Sequence, residues 1–150
     1  MSLDVDVTTN GLRSPLGRES IADVARSTLR AERVRHALLS ITFVEKRIMA
    51  RLNQTHLGHR GPTDVISFGF RRAADSDPVV GDIYISPEVG RDNARDAGVS
   101  VREEIARLVV HGTLHVLGHD HPEGAERETS PMWLRQERIV QRVLRSRGAR

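Results

Sequence analysis

Three histidines at fixed spacing around one glycine constrain this chain more than any other feature of its sequence. His111 and His115 lie four residues apart in a segment of helical periodicity, so their rings fall on one helix face. Gly118 follows where a left-handed residue would end that helix, and His121 comes three residues later. Three imidazoles with a fourth position left open are typical of a catalytic zinc site. We therefore predict that these three histidines hold one Zn²⁺ per chain.

Two neighbours of this cluster leave alternatives open. His119 is a second candidate for the third ligand, and Asp120 is either a hydrogen-bond partner that orients a ligand imidazole or a cap of the local turn. The sequence contains no cysteine, so a metal here has only nitrogen and oxygen ligands. An imidazole tripod selects weakly among first-row divalent ions, and other such metals are expected in preparations.

The composition is that of one ordinary domain. The chain has 150 residues, of which 38% are hydrophobic and 29% charged, and we expect a single domain over residues 1–150. It has no apolar run long enough to cross a membrane, and its acidic, alternating N-terminus is unlike a signal peptide. Together with the lack of cysteine, this predicts a cytoplasmic protein without membrane contact.

Periodicity and turn residues predict four strands and five helices. Period-two or short apolar runs indicate strands near residues 3–7, 36–44, 65–68 and 79–85. Helix-start signals at Ser14-Pro15, Ser86-Pro87 and Ser100 precede helical spacing, and further helices are predicted over 45–55 and 131–147. The predicted helix that begins after Ser100 carries the histidines.

The histidine segment resembles a zinc-protease motif with one large difference. Metzincin proteases have His-Glu-x-x-His-x-x-Gly-x-x-His, with the glutamate as general base, whereas this chain has Gly112 after its first histidine. Glycine has no group that accepts a proton, so peptide hydrolysis by that route is disabled. The string His111-Gly-Thr-Leu-His115-Val-Leu-Gly118-His-Asp-His121 instead resembles the signature of the bacterial YbeY family of metal-dependent endoribonucleases.

Further blocks extend this resemblance over roughly residues 50–121. Leu52-Asn53, the run from Pro62 to Phe68, and Gly81-Asp82-Ile83 are similar to family blocks in the same order. The resemblance implies an α+β fold, with a small mixed sheet packed by helices around a zincin-like metal helix. It also implies a zinc-dependent, single-strand endoribonuclease in ribosomal RNA processing, including 16S rRNA 3′-end maturation, and in ribosome quality control. Implied partners are ribosomal RNA and the small ribosomal subunit.

Arginine is the expected RNA-binding residue, but one family arginine is missing. The position four residues after Asn53 is Leu57, and Arg60 in the same loop is a weak candidate to replace the arginine found there in many members. Residues 123–150 carry the whole net charge of +3. In that segment the spacing of four arginines predicts one basic helix stripe that contacts RNA or forms a solvated face: Arg135, Arg138, Arg142 and Arg145.

The remaining candidates have structural alternatives. His56 and His59 are expected to be exposed loop residues or substrate contacts, Asp64 and Asp82 to form turn or strand-end hydrogen bonds, and Trp133 to belong to the core. Arg60 and Asp120 are the weak catalytic candidates, since no side chain is a convincing general base. Alternative functions are a zinc metalloprotease-like hydrolase and a non-catalytic RNA-binding assembly factor with a folding metal. A monomer is favoured.

Overall fold

The computed structural model describes residues 1–148 as a four-stranded sheet surrounded by helices. The strands are β1 (Ser2–Thr8), β2 (His36–Phe43), β3 (Val65–Phe70) and β4 (Val79–Ile85). The α-helices are α1 (Arg18–Ala31), α2 (Lys46–Leu52), α3 (Pro87–Ala97), α4 (Val101–Val116) and α5 (Pro131–Gly148). A π-helical segment, Asn53–Leu57, continues α2, and a 3-10 helix, Gly124–Thr129, precedes α5. The predicted α+β class, strand number and helix number are confirmed.

The sheet is mixed, in the order β1-β2-β4-β3. Strands β1, β2 and β4 are parallel, and β3 runs antiparallel to β4 at one edge. In β2 and β4 every second residue is buried, which places one row of apolar side chains on the face that α1 and α4 cover. Helix α2 covers part of the opposite face, where Met49 packs with Ile66 in a smaller core.

Helix α4 is the centre of the molecule. It contacts α1, α3 and α5 as well as β3 and β4, so its side chains are buried almost all the way round. Ser100 caps its N-terminus by accepting a hydrogen bond from the backbone N–H of Glu103 at 3.0 Å, as the capping box predicts. A helix with this surrounding has little freedom to rotate or shift. Any side chain on it is therefore held in a defined place.

Three glycines let the C-terminal half of α4 lie unusually close to the sheet. A Cβ atom on Gly69 would lie 2.6 Å from the carbonyl oxygen of Val116, and one on Gly81 would lie 2.5 Å from the Val116 side chain. On the helix side, a Cβ on Gly112 would lie 2.8 Å from Ile83 Cγ2 and 3.0 Å from Ser67 Oγ. Because glycine has no side chain at these three positions, the backbone of α4 can approach β3 and β4 directly, and no room is left for a methyl group.

The structure corrects two helix boundaries predicted from the sequence and adds one short helix. Helix α1 begins at Arg18 rather than at Ser14, because the Ser14 hydroxyl accepts a hydrogen bond from the backbone N–H of Leu16 and forms a local turn instead. The helix predicted over 45–55 changes to π-helical geometry at Asn53 and ends at Gly58, whose φ is +68°. The 3-10 helix at Gly124–Thr129 was not predicted, because its sequence has no helical periodicity.

The glycine contact predicts a specific loss of stability. Alanine is the better helix former, yet Gly112→Ala should lower the free energy of unfolding by about 1–3 kcal/mol, because its methyl group has no space against Ile83 and Ser67. Urea unfolding of the metal-free protein measures this. The matched control is Gly90→Ala in α3, where the nearest atoms are flexible Ile105 and Leu108 methyl groups at 3.2 and 3.4 Å. Equal stability of the two variants would contradict the steric explanation.

Candidate metal centre

The three predicted ligand histidines lie together at the C-terminal end of α4. One ring nitrogen from each of His111, His115 and His121 lies within 4.8 Å of the others. The ring centroids are 4.6 Å apart for the two helix histidines and 5.1 Å for each of these with His121. The spacing along α4 brings the first two rings together, and the turn at Gly118, with φ of +98°, returns the chain so that the third faces them.

This return turn is held by contacts with Glu32, the residue that follows helix α1. Nε2 of His119 lies 2.6 Å from one carboxylate oxygen of Glu32, and Arg135 of α5 donates to the other oxygen at 2.7 Å. The ring of His119 is therefore engaged with Glu32 and does not join the three-histidine group. Asp120 accepts a hydrogen bond from the backbone N–H of His121 at 2.9 Å, which is the turn-capping arrangement. Both neighbours shape the loop that carries His121.

The ring of His111 is fixed by a buried glutamine. Nδ1 of His111 lies 2.6 Å from Oε1 of Gln136 on α5. Because an amide oxygen only accepts, Nδ1 carries the proton and Nε2 is the free nitrogen. The Gln136 amide donates in turn to Glu137 at 3.0 Å, and Glu137 pairs with Arg107 at 2.8 Å. A metal ligand oriented by a second group in this way is typical of protein metal sites.

Burial keeps the two helix histidines uncharged. Desolvation lowers the pKa of His111 to about 4, although the hydrogen bond to Gln136 acts to raise this pKa. Desolvation, followed by the charge of His121, also lowers the pKa of His115. Metal ligation requires neutral imidazole, so these nitrogens are ready to bind near pH 7. Three imidazoles whose ring nitrogens lie this close together form a donor set that fits Zn²⁺.

A cavity of about 380 Å³ opens over the histidines. Its wall includes the end of α2 with its following loop and the start of β3, and among the residues that line it are Asn53, Leu57, His59, Asp64, Ser67, Glu123 and Arg127. Three buried side-chain atoms among residues 1–148 lack a hydrogen-bond partner, namely Asn53 Oδ1, Ser67 Oγ and Arg127 Nε. All three belong to residues that line this one cavity. Such unsatisfied atoms are rare in proteins, and their concentration in this cavity marks it as a place where water or a polar ligand binds.

The other loop candidates take different positions. Arg60 is exposed and is not part of the cavity wall, whereas its neighbours Leu57 and His59 are. The ring of His56 packs edge-on against Phe68 with centroids 5.0 Å apart. Asp64 lines the cavity and accepts from Asn93 at 3.0 Å, and Asp82 accepts from Ser40 at 2.7 Å. Both aspartates thus accept hydrogen bonds from residues distant in the chain, on α3 and β2, rather than the turn or strand-end bonds predicted for them.

The four arginines of the predicted stripe are exposed on α5. Arg135 is the member tied to Glu32, beside the loop of the third histidine. Trp133 is partly buried rather than in the core, and the guanidinium of Arg127 lies 5.3 Å from its ring centroid. The stripe therefore begins on the same side of the molecule as the loop that carries His121.

Sequence analysis did not identify Gln136 or Arg127 as site residues. Gln136 lies in α5, far along the chain from His111, and no spacing rule connects the two. Arg127 lies between two glutamates in a short polar segment that is typical of a solvated loop. Only the packing of α5 and the 3-10 helix against α4 places both side chains at the histidines.

The environment of His111 predicts its titration. In the metal-free protein the His111 ring should stay neutral as the pH falls, until about pH 4. The unfolded chain takes up this proton near pH 6.5, so the contribution of His111 to stability should be lost progressively between about pH 6.5 and 4, by up to about 3 kcal/mol. Ring chemical shifts measured by NMR against pH test the first statement. A His111→Gln variant, compared in urea unfolding, isolates the second, and a normal His111 titration near pH 6.5 would contradict both.

Comparisons of this sequence with known proteins all point to the same family. A family model described as Endoribonuclease YbeY matches residues 8–144. Proteins named Endoribonuclease YbeY from Bacillus licheniformis and Acidothermus cellulolyticus are 34% and 41% identical to this chain. The first alignment covers 99% of this chain and 100% of the relative, and the second covers 72% and 74%.

A solved structure agrees with the fold. The solution structure of a Thermotoga maritima protein superposes with a TM-score of 0.63 at 21% identity, covering 97% of this chain and 92% of that one. This likeness concerns the fold alone. The family match over nearly the whole chain, together with relatives above 30% identity over most of their length, gives the assignment. The chain belongs to the YbeY endoribonuclease family.

Proposed function

We propose that this protein is a zinc-dependent endoribonuclease that cleaves single-stranded segments of ribosomal RNA. The observation that carries the proposal is that a group of three imidazoles lies in a polar cavity whose wall contains unsatisfied buried atoms. Family membership supplies the substrate class, since the relatives are named endoribonucleases. By resemblance, the substrate is the precursor of 16S rRNA at its 3′ end, in the context of the small ribosomal subunit in the cytoplasm.

His111, His115 and His121 would hold the ion, one per chain. A bound zinc ion supplies Lewis-acid polarisation of a phosphoryl oxygen and lowers the pKa of a bound water. Neighbouring residues of the protein would hold these three histidines in position. Gln136 keeps Nε2 of His111 free for ligation, and the contacts of Glu32 hold the loop of His121 in place. Weak selectivity of an imidazole tripod leaves other first-row divalent ions able to occupy the site.

A protease function is disfavoured by the packing of Gly112. The position where metzincins have their glutamate faces Val65, Ser67 and Ile83 of the strands, with a Cβ at 3.3 Å or less from each. A glutamate there would have no space in this structure. This observation supports the ribonuclease proposal over the metalloprotease-like alternative. The second alternative, an RNA-binding assembly factor with a folding metal, would have the same metal site. It differs from the proposed function only in that the protein would not cleave RNA.

The metal site predicts the behaviour of one substitution. His115→Ala should reduce zinc from about one ion per chain to near zero and bring RNA cleavage to background, because two imidazoles do not complete a tripod. Elemental analysis and cleavage of a labelled single-stranded RNA measure the two effects. His36→Ala, an exposed histidine at the start of β2, is the matched control and should behave as wild type.

Three outcomes would contradict this proposal. Wild-type protein without zinc after metal-supplemented purification would remove the metal site. Chelator-sensitive cleavage of casein by wild type would restore the protease alternative. Zinc-loaded wild type that binds ribosomal RNA without cutting it would favour the assembly factor.

The arginine stripe on α5 is the proposed path of the RNA away from the metal site. Arg138→Glu combined with Arg142→Glu should weaken RNA binding and make its salt dependence shallower, by about 1.4 in the logarithmic slope if each residue contacts one phosphate. The loss should be independent of RNA sequence, because phosphate contacts position without specifying.

Binding isotherms at several salt concentrations measure this effect. Arg18→Glu with Arg102→Glu changes the net charge equally at exposed sites outside the stripe and is the matched control. Zinc content should be unchanged in both double variants. An identical slope in the two would mean that the stripe is only a solvated helix face, and RNA would then have to be held nearer the metal, with Arg60 as the earlier candidate.

A further inference from the structure

We propose that Arg127 is a substrate-binding residue whose guanidinium contacts a phosphate of the RNA backbone at the metal centre. This inference rests on the proposed function and adds a residue to it. Arg127 lies in the 3-10 helix Gly124–Thr129, six residues after His121, and lines the cavity over the three histidines. It also lines the adjoining cavity that contains Trp133, so the side chain stands where the two cavities meet.

The guanidinium of Arg127 has no acidic partner within the described part of the chain. Arg107, the other partly buried arginine beside the same helices, pairs with three carboxylates, those of Glu103, Glu104 and Glu137. Arg127 forms no ion pair among residues 1–148, and its Nε is buried without an acceptor. The residue as a whole is partly exposed, and the buried Nε–H is the part of its guanidinium that lacks a partner. An acceptor oxygen of the ligand is therefore expected to bind there.

The side chain is nevertheless held in position. Its guanidinium carbon lies 5.3 Å from the ring centroid of Trp133, within the range of a cation–π contact. A stacked arginine loses less freedom when it binds than one that extends into solvent.

The chemistry of the cavity fits a phosphodiester. Three neutral imidazoles give a zinc ion no charge compensation, and a nearby guanidinium adds a further positive charge. A phosphate group carries a negative charge and accepts hydrogen bonds from the fork of an arginine. Ser67, whose hydroxyl is buried without a partner, lines the same cavity. A phosphate oxygen can therefore accept hydrogen bonds from both the Ser67 hydroxyl and the Nε–H of Arg127.

The test uses zinc-loaded protein and two probes, inorganic phosphate and a labelled single-stranded RNA. Arg127→Gln should weaken phosphate binding, followed by calorimetry, by about tenfold or more, because a charge-assisted contact is lost. It should raise KM for RNA cleavage while zinc content and thermal stability stay near wild type. Arg127→Lys should have a phosphate affinity and a KM between those of wild type and Arg127→Gln, because it keeps the positive charge and loses the paired N–H donors of the guanidinium. Arg102→Gln, an exposed arginine outside both cavities, is the matched control.

The outcomes separate this inference from the proposed function. If wild type binds phosphate and Arg127→Gln does not, while neither cleaves RNA, the nuclease proposal fails and the assignment of Arg127 stands. If wild type cleaves RNA and Arg127→Gln retains its phosphate affinity and KM, the assignment of Arg127 is overturned alone. Loss of zinc in both Arg127 variants would also overturn it, because the residue would then build the metal site and not bind the substrate. Should Arg127→Gln fail to fold, Arg127→Lys provides the same comparison.

Discussion

The direct backbone contact between α4 and the sheet is the constraint on which the rest of the molecule depends. Gly69, Gly81 and Gly112 remove the side chains that would otherwise separate the helix from β3 and β4. This contact fixes the distance of the α4 histidines from the start of β3, which forms part of the cavity wall. It also makes the position after the first histidine a packing residue and not a catalytic one, so the same feature that builds the site excludes the glutamate of a zinc protease.

Polar contacts from neighbouring residues fix the orientation of the histidines that the packing of α4 brings together. The first histidine is oriented by Gln136, which belongs to a chain of hydrogen bonds through Glu137 to Arg107. The loop of the third histidine is tied through His119 to Glu32, the residue that follows α1. Each of these partners lies on a different element from the histidine that it supports. The three-histidine group is thus a product of how α1 and α5 pack against α4, and changes at those interfaces should reach its rings.

The electrostatics of the cavity differ from those of a site that carries its own general base. Burial lowers the pKa of His111 and His115, and the guanidinium of Arg127 in the cavity wall forms no ion pair among the described residues. A guanidinium in this position is suited to bind an anion and to stabilise negative charge, which is what phosphodiester cleavage requires. Relatives of this chain are named as endoribonucleases, and an arginine beside three imidazoles agrees with that chemistry.

Local sequence determined a large part of this protein. Periodicity and caps located the strands and most helices, because each signal acts within a few residues, and the histidine spacing located the metal cluster because a helical turn and one glycine fix its geometry. Tertiary structure alone decided the strand order, the use of Ser14 in a turn, and the identity of the supporting residues. His119 was a second candidate for the third ligand by sequence, and the carboxylate of Glu32, the residue after α1, engages its ring instead. Gln136 and Arg127 are ordinary polar residues in the sequence, and they gain a role only because helix packing brings distant segments to one cavity.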